Sequence, residues 1–270
     1  MMGKKKHSPP TRAAKPFIRG KMIDRTMPGA AAKFFGLTLL MVFVYLMSMM
    51  LASLESQLLN IVISAAILLT TWLIFGQMGQ SSGADAVSQG EILYARREKG
   101  RPVETWESEL CYHPLKGLLT ALIGSIPLVA VCAVLACIAQ RQMTSIGILP
   151  EWVSGFEGRQ EIAQGLSYYH QEVQLTLETA LRPIVRVVVM PWQNIFGTEN
   201  RDAMLLLERL SPVLTLLPAL SYGVGYAMGT RERAAKHANV ALGKKNLQKK
   251  QYRERMARQK AAQRSSDTLN

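Results

Sequence analysis

The chain has 270 residues, 49% of them hydrophobic, and a formal net charge of +13. So apolar a chain is not disordered, and so basic a chain with long uncharged runs is not an ordinary soluble domain. Its apolar and its basic residues must therefore be segregated along the sequence.

Residues 34–54, FFGLTLLMVFVYLMSMMLASL, contain no charge. As a helix they reach about 30 Å, the thickness of a bilayer core. The apolar run is longer than that of a cleaved signal peptide and follows a 33-residue basic segment, so it reads as a signal anchor. After Glu55, residues 57–76 repeat the pattern, and the pair (34–76) reads as a transmembrane hairpin with a short turn. Residues 77–116 begin with a Gly/Ser stretch and then suggest a short amphipathic helix near 84–98, stopped by Gly100 and Pro102. Residues 117–140 make a third span and residues 210–229 a fourth, both uncharged.

Between the last two spans, residues 141–209 carry an amphipathic segment. Ile162, Leu166, Tyr169, Val173 and Leu177 recur at steps of three and four, the helical period, and form a candidate external interaction face. Glu157, Glu161, Glu172 and Glu178 read as its solvated side. The stretch LRPIVRVVVMPW, residues 181–192, is a candidate fifth span, but Arg182 and Arg186 would each cost about 2.5–3.5 kcal/mol at mid-membrane, so four spans are preferred.

Charge sets the orientation. Residues 1–33 hold nine Lys or Arg against one acid and residues 230–270 hold twelve against three, while both long connecting segments are near neutral. Basic segments stay on the cytoplasmic side, so both termini are expected there, in a multi-pass protein of the cell membrane. The lack of any Asn-x-Ser/Thr sequon fits a bacterial origin.

Within the spans, Ser221, Gly225 and Gly229 lie four apart and form a small-residue stripe for helix packing. Pro127, Pro212 and Pro218 are expected to kink or end their helices. No Asp, Glu, Lys, Arg or His falls inside the four runs, against what ion-coupled transport normally requires. Cys111 and His113 are too few for a zinc site. No nucleophile elbow, phosphate loop or metal spacing occurs, so neither catalysis nor a cofactor is expected.

The inward tails are a basic segment with prolines, residues 1–33, expected to be disordered, and a charged helical tail, residues 230–270. In the second, Lys244, Lys245, Lys249, Lys250, Arg253 and Arg255 are candidate contacts to an anionic inner leaflet, and specific nucleic-acid binding is disfavoured. In composition alone, over its last forty residues, this tail resembles the ribosome-facing tails of some membrane-protein insertases. The charged residue that those proteins carry in a membrane groove has no counterpart in the spans.

The expectation is thus an all-α integral membrane protein with four transmembrane helices, two of them an N-terminal hairpin, one amphipathic external helical segment and basic cytoplasmic termini. Its expected role is an accessory or scaffold component of a membrane complex, working through a protein partner or as a homo-oligomer. A small-solute transporter or channel component is the alternative, and a ribosome-associated insertase-like factor the second alternative.

Overall fold

A computed structural model describes residues 15–48, 57–140, 177–197 and 200–267, without the side chains of Arg201, Arg255 and residues 257–267. Eight helices occur among them: α1 (Met27–Ser48), α2 (Gln57–Glu98), α3 (Thr105–Glu109), α4 (Lys116–Ile138), α5 (Leu177–Val188), α6 (Met190–Phe196), α7 (Arg201–Ala227) and α8 (Gly229–Asp267). Four of them, α1, α2, α4 and α7, are long and apolar enough to cross a membrane. Their outward faces carry Leu40, Phe43, Leu58, Val62, Leu69, Ile126, Val213 and Val224, all well exposed. Among the buried residues are Ser64, Thr71, Thr120, Ser125, Ser211 and Ser221. Apolar side chains outside and hydroxyls inside suit a bundle whose solvent is lipid, and the protein is a helical, multi-pass membrane protein.

The helices alternate in direction, so α2 and α7 run parallel to each other and antiparallel to α1 and α4. α7 packs extensively on both α4 and α2, and α1 packs chiefly on α4. Among the described residues the backbones of α1 and α2 make no extended contact, and side chains bridge the space between them. The Phe34 and Phe75 rings lie 5.2 Å apart, and the Tyr45 hydroxyl sits 3.1 Å from that of Thr71.

Helix boundaries and interiors differ from the hydropathy reading. α1 begins at Met27, ahead of its apolar run, and residues 15–26 are laid against the end of the bundle from which α8 leaves, named the inner end after the expected orientation, the opposite one being the outer end. There the Ile18 amide donates to the Gly90 carbonyl at 3.2 Å and the Gly20 amide to that of Tyr112 at 3.0 Å. A Cβ on Gly90 would lie 2.6 Å from the Ile18 carbonyl oxygen, so this approach requires glycine. α2 does not stop at Gly76. It continues as one 42-residue helix through the stretch read as a flexible linker and then a short helix. The prolines at 127, 212 and 218 all lie inside α4 and α7. Pro212 lacks the amide that would serve the Glu208 carbonyl, and the Ser211 hydroxyl donates to that carbonyl instead, at 2.8 Å.

A buried ion pair ties the segment before α1 to the start of α4 at the inner end. Lys116 Nζ lies 2.6 Å from Asp24 Oδ2 and also reaches the Glu109 and Leu110 carbonyls at 3.2 and 3.4 Å. Burial raises the Asp24 pKa, but the hydrogen bonds from Lys116 and Thr26 and the Lys116 charge outweigh it, and the net shift is downward from 3.8. A carboxylate with a depressed folded pKa stabilises fully above its unfolded value, and that stability is lost as pH falls through the folded pKa. Asp24→Asn is therefore expected to cost about 2 kcal/mol, between an exposed and a fully buried pair. Melting in detergent should show the wild type falling toward the variant below pH 3.8. A constant difference down to strongly acid pH would count against this assignment.

Candidate functional site

Two features stand out beyond the bundle itself: a polar, half-inserted segment at the outer end and a projecting helix at the inner end.

α5 enters the bundle from the outer end. Its Glu178 accepts from the Gln140 amide at 2.9 Å, at the close of α4, and its Leu181 and Val185 pack on Cys132, Leu135 and Ala139. From Arg182 to Val189 the helix descends about 10 Å. There Val188 and Val189 share a cavity wall with Leu128 and Thr215, near the middle of α4 and α7. The β-branched run ends with Pro191, which is poor in a helix interior and good in a first turn. Val189 accordingly closes α5 by donating to the Val185 carbonyl at 3.0 Å, and opens α6 by accepting from Trp192 and Gln193. α6 contacts α2, α1 and α7, and the chain returns to the outer end, where Leu205 of α7 packs beside Ala139. Residues 181–192 are therefore neither a fifth span nor a surface segment but a re-entrant one. Such backbone is tolerated at membrane depth because protein surrounds it.

The arginines that argue against insertion are neutralised by a residue lying outside the fourth apolar run. Glu208 is 1% exposed and Arg182 is 5% exposed. Arg182 Nε lies 3.0 and 3.1 Å from the two Glu208 oxygens, and its Nη2 donates to Glu178 at 2.7 Å and to the Gln140 carbonyl at 2.6 Å. Arg186 Nε and Nη2 each lie 3.0 Å from Glu208 Oε1. Two cations and two anions thus cancel across α5, α7 and the end of α4. The crossing helix Asp202–Ala227 thus holds a buried acid just ahead of its uncharged run, and Glu178 makes the i,i+4 pair with Arg182 that their spacing allows, which takes it out of a purely solvated face. The i,i+4 spacing of Arg182 and Arg186 was the available signal, because two cations on one helical face call for a shared anion.

Beneath the re-entrant tip, between α1 and α2, lies a cavity of about 190 Å³. Thr38, Tyr45, Thr71 and Phe75 are among its lining residues, with Trp72, Trp192, Leu214 and Pro218.

At the inner end, Ser221, Gly225 and Gly229 meet a matching row on α2. The Ser221 hydroxyl donates to the Trp72 carbonyl at 2.6 Å. A Cβ on Gly225 would overlap the Gly76 carbonyl, one on Gly79 the Tyr222 carbonyl, and one on Gly229 the backbone of Gly83. The partner of the stripe is thus within the same chain. α8 continues α7 almost without a break, since the Glu232 amide donates to the Met228 carbonyl at 3.2 Å. It is clamped to α2 by Glu91, which pairs with Arg233 at 3.0 Å and lies 2.8 Å from His237 Nε2. From Asn239 onward its described side chains are exposed, Lys244, Lys245, Lys249, Lys250 and Arg253 among them, and Arg255 lies on the same helix.

Of the external face, Ile162, Leu166, Tyr169 and Val173 lie outside the described residues, and Leu177 is the exposed first residue of α5. The buried Cys111 thiol lies 3.8 Å from the Glu107 carbonyl, and its pKa is raised by burial. His113 Nδ1 accepts from the Leu115 amide. No cluster of three His, Cys, Asp or Glu that could hold a metal occurs among the described residues. No protein-family model, curated protein or solved structure matches this chain.

Proposed function

We propose that the protein is a non-enzymatic accessory or scaffold component of a membrane complex, with both termini in the cytoplasm. In this reading it presents α8 as a rigid basic arm to an acidic partner subunit. The observation that supports it is the clamping of α8 to the bundle: the helix continues a span and is braced on α2, so its position is set by the bundle. Lys244 lies about 25 Å along the helix axis from Ala227, and Arg253 about 39 Å. Screening at physiological salt acts over about 8 Å, so on an arm directed away from the bilayer these residues would meet a partner subunit and not the leaflet. The basic charge of residues 230–270 favours that orientation.

The transporter reading gains less support. The Ser125 hydroxyl donates to the Ala121 carbonyl and that of Thr215 to the carbonyls of Ser211 and Pro212, while Thr70 is exposed on the outside of the bundle. These hydroxyls do not converge on a path.

Removal of residues 243–264 tests the proposal. The ion pairs to α2 end at His237, so the truncated chain is expected to insert, and to melt within a few degrees of the full chain. Native-level purification in mild detergent should recover a stoichiometric foreign subunit with the full chain and lose it with the truncated one, and raised salt should release it. A full chain recovered alone would defeat the reading, and co-purification of ribosomes that depends on the same residues would favour the insertase-like alternative.

A further inference from the structure

We infer that the cavity between α1 and α2 is a binding site for a hydrocarbon chain of a bilayer phospholipid. The cavity lies at mid-bundle, level with Leu128 of α4 and Thr215 of α7, inside the hydrocarbon zone of the membrane. It sits where the backbones of α1 and α2 make no extended contact. Trp72, on its rim, is 42% exposed, so the space communicates with the lipid side of the bundle.

The chemistry of the wall selects the occupant. Besides Leu, Val, Met, Phe, Trp and Pro, it contains four hydroxyl side chains, and each is already engaged. Thr38 donates to the Phe34 carbonyl at 3.0 Å, Thr71 to the Ile67 carbonyl at 2.9 Å, Tyr45 to Thr71 at 3.1 Å, and Thr215 to its own helix. None of its lining residues carries a charge. A water or polar solute would need two to four polar partners; with the hydroxyl protons already committed, only hydroxyl lone pairs and two indole N–H groups remain on a wall otherwise of hydrocarbon, whereas an apolar cavity of about 150 Å³ stays dry and accepts hydrocarbon. The cavity is larger than that, and the hydrocarbon immediately outside it is the acyl chain of the surrounding bilayer.

The test is native mass measurement of the full-length protein released from membranes in mild detergent. The wild type should carry one phospholipid per chain. Val42→Trp and Leu68→Trp, which enlarge half-buried residues on the α1 and α2 walls, should each lower its occupancy at least tenfold. Thr71→Val, which removes a hydroxyl without changing the volume, should retain it. A wild-type chain of bare protein mass, or equal occupancy in both tryptophan variants, would overturn the inference. Loss of the lipid in Thr71→Val would do so too, because the occupant would then be held by polarity.

An independent measurement needs no cavity-filling change. In a chain keeping only Trp192, reconstituted with phosphatidylcholine brominated in mid-chain, quenching should persist after transfer to excess detergent. Quenching abolished by that transfer would mean contact with bulk lipid alone and would overturn the assignment.

Discussion

Gly225→Leu is expected to prevent α2 and α7 from packing and to remove most folded protein from detergent extracts. A side chain there meets the Gly76 carbonyl oxygen, which belongs to backbone and has no rotamer by which to move aside. Overpacking of a tight contact costs typically about 1–3 kcal/mol when side chains can yield, and more when backbone must separate. The loss here is set at about 3 kcal/mol or more, because Gly79 and Gly229 lie along the same seam and would be pulled out of contact with it. Gly36→Leu is the matched control, since a Cβ there meets nothing within 4 Å. The two variants should differ sharply in monodisperse yield and melting temperature, and similar behaviour of both would mean that the glycine seam is not what joins these helices.

Glu208→Gln should be nearly as damaging for an electrostatic reason. The carboxylate serves both Arg182 and Arg186, and its neutralisation leaves Arg182, 5% exposed, with Glu178 as its remaining charged partner. Breaking a buried pair from one side costs about 3–5 kcal/mol, whereas replacing it by apolar groups is often neutral. Arg182→Met combined with Glu208→Leu is therefore expected to recover stability relative to Glu208→Gln alone. The double-mutant cycle of those two substitutions should show coupling above about 1 kcal/mol. Strict additivity in that cycle would reduce the pair to two independent contacts. Proteolytic nicking after residue 188 should also rise in Glu208→Gln, because the cluster, together with the packing of Leu181 and Val185, holds α5 against α4 and α7.

The four crossings were legible because uncharged runs of twenty or so residues have few other uses. The inner half of α2 was not, because hydropathy ends near Gly76 and glycine and serine are weak helix formers. Yet Gly76, Gly79, Gly83 and Gly90 are spaced by three, four and seven, one face of a helix, and that pattern was available beside the stripe on Ser221, Gly225 and Gly229. Their mutual contact was not, since the two rows are about 150 residues apart and no local rule pairs them. The re-entrant α5–α6 segment was obscured for a related reason. Arg182 and Arg186 are prohibitive in lipid when considered alone, and the acid that neutralises them belongs to a different helix. The external face at Ile162 to Val173 lies outside the described residues.

The glycine seam also bears on how the protein is made. Trp72 and Ser221, which hydrogen-bond across it, are separated by 149 residues. At about 5–20 residues per second, α2 waits roughly 7–30 s in the membrane before its partner has been synthesised. Throughout that interval its row of small residues faces lipid or the insertion machinery, open to any passing helix with a similar row. Correct assembly therefore depends on something occupying or shielding α2 until the last span arrives, and α2 is where mispairing with a neighbouring nascent chain would begin.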